Sequence, residues 1–295
     1  MSSIYPQLPL LNPEVSENSI VYHGDALQVL SSLPDNAYQT AVTSPPYWGL
    51  RDYDTPGQIG SEEKVEEYVE KLVLIFRELR RVLHESGTFW LNIGDSYTSG
   101  GRTWRAPDKK NPARAMGYRA PTPEGLKPKE LVGVPWRLAF ALQSDGWYLR
   151  SEIIWYKTNP HPESVKDRPT RAHEIIFLLS KNEDYYYDYE AIQEKGVNGD
   201  LRNKRTVWPV QSEPLKEAHF ATFPKKLIEP CILAGSKPGD YVLDPFFGSG
   251  TTGLVAALNG RNFVGIELKS EYIGIAGKRL GKYGYFFRQI DFHME

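Results

Sequence analysis

The 295-residue chain contains one cysteine, Cys231. That excludes a disulfide framework and a cysteine-rich zinc site within it, and it suits a reducing cytoplasm. The six histidines show no HExxH or other paired spacing, so a catalytic metal has no support in the sequence. No apolar run approaches the length needed to cross a bilayer. The segment MSSIYPQLPLLNPEVSENS lacks a basic stretch followed by an apolar one. It predicts no secretory signal, no membrane partner and a cytoplasmic location. Excess charge is lacking too, since 35 basic and 37 acidic residues leave a net charge of -2. A general basic coat for nucleic acid is thereby excluded, but local clusters are not.

What remains is an ordinary globular composition, long enough to bury one sizeable core. The expectation is a single domain over residues 1–295. Strands alternate with helices, the pattern of an α/β domain with a mostly parallel sheet. Residues 38–43 read as a strand running into Ser44. Residues 61–84 carry Val65, Tyr68, Val69, Leu72, Ile75, Phe76, Leu79 and Leu83 at helical spacing, with Gly87 ending the helix and 88–93 a buried strand. Residues 131–144 read as a helix, and 148–156 with 173–179 as an antiparallel strand pair. Strands at 241–244 and 262–267 flank a helix starting at Thr251. Two polar stretches, at about 96–129 and 190–217, read as long loops, a length uncommon in a compact domain unless functional or disordered.

Two segments carry chemistry. In YVLDPFFGSGTTGLVAALNGRNFVGIEL, residues 241–268, Gly248 and Gly250 allow a tight strand-to-helix turn and close approach of a ligand to backbone N–H groups. Glu267 lies 23 residues after Asp244 (267 − 244). At about that spacing a carboxylate meets ribose hydroxyls in dinucleotide-type units. A ligand-free turn and a nicotinamide site remain alternatives here, although the turn is not G-x-G-x-x-G. In TSPPYWGLRDY, residues 43–53, two prolines leave carbonyls that only accept, beside the Ser44 hydroxyl and the Tyr47 ring. That kit suits a planar base held by its amino group; the plain alternative is a stiff turn at a strand end.

Together these segments resemble the amino-methyltransferases of bacterial DNA modification, more narrowly their permuted β group of SPPY type. The likeness runs from about residue 20 to 280. It includes HGDAL (23–27), SPPYWGLRDY, FWLNIGD (89–95), WYKTNP (155–160), RAHEIIFLLSK (171–181), HFATFP (219–224), DPFFGSGTTG (244–253) and GIEL (265–268). It implies a Rossmann-like α/β methyltransferase fold. The expected sheet is mixed, mostly parallel and seven-stranded, with helices on both faces and the motifs in circularly permuted order. The implied cofactor is S-adenosylmethionine. Asp244, Phe246, Gly248, Ser249, Gly250 and Thr251 would surround its methionine end. Glu267 and Leu268 would take the ribose, Asp25 and Ala26 the adenine, and His219, Thr222 and Pro224 the other wall.

Ser44, Pro45, Pro46 and Tyr47 are the implied catalytic residues. Acceptors at Ser44 and at a proline carbonyl would take the hydrogens of an aromatic amine, with the flipped base stacked on Tyr47. SPPY implies cytosine N4 as the target; adenine N6 on the same scaffold is the alternative. The implied partner is double-stranded DNA, with a cognate restriction endonuclease at the same site, and the chain would work as a monomer or homodimer. Pro230-Cys231 imitates the nucleophile of cytosine-C5 enzymes, but its position predicts a core helix residue.

Residues 102–119 hold Arg102, Arg105, Lys109, Lys110, Arg114 and Arg119 against Asp108, with Trp104 and Tyr118 interleaved. This set, with Lys157, Lys166, Arg168 and Arg171, is the candidate DNA contact, and Arg202, Lys204 and Arg205 form a third basic set. The resemblance implies that the loop at about 190–217 reads the DNA, with the one at 96–129 sharing the task. Neutralising Arg102, Arg105 and Lys110 is expected to weaken DNA binding and flatten its salt dependence, measured by titration at several ionic strengths. An unchanged slope would rule this segment out.

Overall fold

The computed structural model describes residues 18–50, 57–98, 121–160, 162–213 and 223–292. Its strands are β1 (Ile20–His23), β2 (Tyr38–Thr43), β3 (Leu83–Ile93), β4 (Tyr148–Lys157), β5 (His173–Ser180), β6 (Glu194–Lys195), β7 (Leu201–Arg202), β8 (Val207–Val210), β9 (Tyr241–Asp244), β10 (Asn262–Glu267) and β11 (Arg288–Asp291). Its helices are α1 (Ala26–Ser32), α2 (Val65–Val82), α3 (Val134–Ser144), α4 (Lys225–Gly235), α5 (Thr251–Leu258) and α6 (Ser270–Gly281). Among the described residues, nine strands share one sheet in the order β11-β1-β10-β9-β2-β3-β5-β4-β8, while β6 and β7 form a separate ribbon. Neighbours run parallel except at β5, which is antiparallel to both β3 and β4.

The strands are apolar on both faces because both faces are covered. Phe89, Leu91 and Ile93 of β3 point to a core shared with α1, α2 and α3, whereas Trp90 between them joins α4, α5 and α6 on the other side. Ala41 and Val42 of β2 divide in the same way, as do Leu243 and Val242 of β9. In α2 the buried positions are Val65, Tyr68, Leu72, Ile75, Phe76, Leu79 and Val82, one stripe at helical spacing.

From β9 the chain continues to β10 on one side, and from β2 to β3 on the other. The order therefore reverses between β9 and β2. In open α/β sheets a crevice forms outside the carboxyl ends of the strands at such a point.

The α/β class with helices on both faces is as expected, but the strand count is nine, not seven. The additions are the edge strands β11 and β8, short and mostly exposed, with none of the apolar runs that marked the inner strands. Gly87 does not end a helix. The chain passes from α2 into β3 at Leu83, and Gly87 lies in the irregular stretch where the register with β2 shifts. A Cβ there would come within 2.8 Å of the His84 carbonyl oxygen. The 190–217 stretch is not one long loop either: among its described residues it holds a 3-10 turn at Glu190–Ile192, the β6–β7 ribbon and β8.

The turn after β9 rests on glycine packing. Phe247, 3% exposed, lies against the backbone of Gly253 and Gly265. A Cβ on Gly265 would sit 2.4 Å from the Phe247 ring. Gly265→Ala is expected to destabilise the fold by about 1–3 kcal/mol, the usual cost of overpacking, read as a lower denaturant midpoint. An unmoved midpoint would contradict this packing.

Candidate active site

The carboxyl ends of β1, β10, β9, β2 and β3 open onto one rim, and most of the predicted site residues described in the structure lie there. At its centre Thr43 Oγ1 donates to Asp244 Oδ1 at 2.5 Å, joining the last residues of β2 and β9. Thr252 Oγ1 donates to Asp244 Oδ2 at 2.7 Å, and the Phe246 N–H to Oδ1 at 3.0 Å. Asp244 is 2% exposed. Its carboxylate braces the two halves of the site. Burial pushes its pKa up to about 6, against the pull of the three donors.

Glu267 ends β10 and receives Gly248 N–H at 2.7 Å on Oε2 and Lys269 N–H at 2.9 Å on Oε1. Each oxygen keeps a lone pair, so the carboxylate can still accept two hydroxyls. Burial raises its pKa to about 7. Gly248 and Gly250 both have positive φ, 52° and 77°, the left-handed conformations that the turn needs. Gly250 and Thr251 are buried where α5 begins. The hydroxyls of Ser249 and Thr251 are turned to Arg279 Nη1 at 2.7 and 3.1 Å, which leaves their backbone to face a ligand. Phe246 and Leu268 are half-buried.

Asp25 caps α1, with Oδ1 accepting Gln28 N–H at 3.1 Å. It stands close to Glu267, since His23 pairs with Glu267 and Gly24 N–H donates to the Glu267 carbonyl. Ala26 is core, 7% exposed, so its side chain is not a ligand wall. Pro224 is buried at the start of α4, and His219 and Thr222 lie outside the described residues.

Ser44, Pro45, Pro46 and Tyr47 follow β2. The Pro46 carbonyl accepts the Tyr68 hydroxyl from α2 at 2.8 Å, so Pro45 holds the carbonyl without a partner among the described residues. Trp48 Nε1 donates to the Glu62 carbonyl at 3.0 Å, anchoring the loop. Tyr47 turns inward: its ring lies against Gly94, where a Cβ would meet it at 2.6 Å. Its hydroxyl donates to Glu174 Oε2 at 2.8 Å, and Ser44 Oγ donates to that hydroxyl at 3.1 Å. Asn92 Nδ2 reaches the Tyr47 hydroxyl at 2.5 Å and Glu174 Oε2 at 3.0 Å. Burial first, then the Glu174 charge, holds the Tyr47 phenol well above its usual pKa range. The expected stacking face of Tyr47 is therefore tied into a buried polar cluster.

Asn92 and Glu174 had no assigned role in the sequence reading. A signal was there: each is a lone polar residue in an apolar strand, Asn92 in FWLNI and Glu174 before IIFLLS.

Several of the expected DNA contacts lie among the described residues. Lys157 pairs with Glu174 and sits 4.4 Å from the Trp155 ring centroid, so its charge is spent internally. Arg168 donates to Glu163 at 2.7 Å and covers the Tyr97 ring, and Arg171 donates to the His173 carbonyl at 3.3 Å. Arg202 and Arg205 both bond Glu194. Arg102, Arg105, Lys109, Lys110 and Arg114 lie outside the described residues. Cys231 is fully buried in α4, where burial raises its thiol pKa, an environment unsuited to a nucleophile.

The N6/N4 methyltransferase family model, described as DNA methylase, matches residues 38–278. The type II methyltransferase M.Cfr9I of Citrobacter freundii is 62% identical over 260 residues, 88% of this chain and 87% of that protein. Among solved structures, TTHA0409 of Thermus thermophilus, complexed with S-adenosyl-L-methionine, is 25% identical with a TM-score of 0.64, covering 94% of this chain and 100% of that one. The cytosine-N4-specific PvuII DNA methyltransferase shares the fold, with a TM-score of 0.67 at 22% identity over 90% of this chain and 88% of that one.

Glu267 gives a pH test. Its carboxyl rises from 4.5 to about 7 in the folded chain, so the native state binds the proton more tightly than the unfolded one. The stability it contributes is full below its ordinary pKa and is lost as pH rises through about 7. Glu267→Gln does not titrate. Its melting temperature relative to the parent is expected to climb between about pH 5 and pH 8, by about 2–4 °C per kcal/mol of lost proton linkage. A constant difference would contradict the buried carboxyl.

Proposed function

Since the chain belongs to the N6/N4 DNA methylase family, we propose that it is a type II DNA methyltransferase acting on the N4 amine of a cytosine flipped out of duplex DNA. The methyl donor is S-adenosylmethionine. One observation carries this reading: the Thr43–Asp244 hydrogen bond holds the Ser44 corner beside the Gly248 turn. Cytosine rather than adenine rests on Ser44 in its SPPY setting and on the likeness in fold to the PvuII enzyme.

The residues fit the donor. S-adenosylmethionine, when bound, supplies an activated methyl group on a cationic sulfur. Two carboxyls reluctant to ionise, Asp244 through burial and Glu267 through burial and then the Asp244 charge, suit a pocket completed by a cation. Glu267 offers a lone pair on each oxygen to the ribose diol, the backbone of the Gly248–Thr251 turn takes the amino-acid end, and the second Asp25 oxygen takes the adenine amine. Phe246, Leu268 and Pro224 form the walls.

The protein's own share is placement. An aromatic amine is a weak nucleophile because its lone pair is spread into the ring, and acceptors for its hydrogens return density to nitrogen. Ser44 Oγ and the Pro45 carbonyl are those acceptors. Holding the amine in line supplies most of the rate. A serine hydroxyl does not titrate near neutrality, so Ser44 acts by hydrogen bonding and not as a base. The chain works as a single catalytic domain on double-stranded DNA, as a monomer or homodimer. A restriction endonuclease directed to the same site is its natural counterpart.

Incubation with labelled S-adenosylmethionine and mixed-sequence DNA, followed by mass spectrometry of the nucleosides, is expected to yield N4-methylcytosine. N6-methyladenine would overturn the choice of base, and 5-methylcytosine the chemistry.

A further inference from the structure

Ser44 can meet an amine in two opposite ways, by donating its hydroxyl hydrogen or by offering lone pairs. Only the second relieves an amine whose own hydrogens need acceptors. Which one prevails depends on where the Ser44 hydrogen points, and the groups behind it decide that.

Glu174 is the second residue of β5, its side chain between Asn92 on β3 and Lys157 on β4. Paired with Lys157, it is a carboxylate and can only accept. The Tyr47 hydroxyl, 2.8 Å away, must therefore donate to it. The Tyr47 oxygen then has only acceptor capacity left, which it gives to Asn92 N–H at 2.5 Å and Ser44 O–H at 3.1 Å. The Asn92 amide cannot turn over, because its oxygen would then face the carboxylate now 3.0 Å from its nitrogen. Each link fixes the next. The Ser44 hydrogen is directed inward; one lone pair faces Asn92 Nδ2 at 3.5 Å, and the other is left for the rim.

We propose that Glu174 is a positioning residue that sets the direction of this hydrogen-bond relay and so commits Ser44 to accepting from the target amine. The inference rests on the methyl-transfer reading and deepens it. Burial pushes the Glu174 pKa up, but the Lys157 charge and the bonds from Lys157, Asn92 and Tyr47 outweigh it and hold the carboxyl below its usual range. The relay therefore keeps its direction at neutral pH. A glutamine at this position can turn an N–H toward Tyr47, after which every link can reverse and Ser44 can point its hydrogen at the amine.

The test compares wild type, E174Q, the double variant K157Q/E174Q, which leaves no lone buried charge, and E174Q made in a Y47F background. Replacing Glu174 is expected to lower kcat about 10–100-fold, the value of a hydrogen bond to a charged group, with KM for S-adenosylmethionine within about threefold. In the Y47F background, where the relay is already cut, E174Q should change kcat less than about twofold. Glu174→Asp should recover part of the rate. A folded K157Q/E174Q variant with wild-type kcat overturns the proposal. So does an equal cost of E174Q with and without the Tyr47 hydroxyl, which remains measurable if the double variant does not fold. A wild-type chain that methylates no amine overturns the functional reading as well, which separates the two failures.

Discussion

The hydrogen bond from Thr43 to Asp244 joins residues 201 positions apart in the chain, and the rest of the site depends on it. The sheet changes direction between β2 and β9, so no loop connects the two strands at this rim. Side chains have to make the join. Asp244 does so as a buried acceptor for Thr43, Thr252 and the Phe246 N–H, at the cost of a carboxyl that ionises reluctantly. The arrangement leaves the Gly248 turn on one side and the Ser44 corner on the other, at a separation set by strand spacing rather than by loop flexibility. A methyl transfer, whose rate comes largely from geometry, suits such a frame.

The elements with strong periodicity were legible in the sequence: α2, α5, β2, β9, β10 and the β4–β5 pair all fall within a few residues of their expected places. The signals failed where backbone pairing outweighs side-chain pattern. β8 and β11 are held by ladders to β4 and β1 and bear little apolar marking. Gly87 looked like a helix stop because a glycine after an amphipathic run commonly is one, yet here it relieves crowding within a strand.

The site was legible as a set of motifs but not as a division of labour. Asp244, Ser249 and Thr251 occupy the expected turn, while their side chains serve Thr43, Thr252 and Arg279. Lys157 read as a DNA contact because it is one of a basic set with Lys166, Arg168 and Arg171. Its partner Glu174 is 17 residues away, beyond any local pattern, and pairs with it only because β4 and β5 run antiparallel. Long-range ion pairs of this kind are invisible until topology is known, and so is the coupling of Tyr47 to a residue 127 positions on.

The reversed direction of β5 has a further consequence. In a fully parallel sheet only strand ends could furnish this rim, and each is followed by a loop constrained by the ligand it cradles. β5 arrives the other way round, so its first residues reach the rim while its remaining length is ordinary core. The Ser44 corner can thus be rewritten by changes at a strand beginning that leave the Gly248 turn untouched. Descendants of such a scaffold are free to diverge in the amine they accept while inheriting one unaltered way of holding the donor.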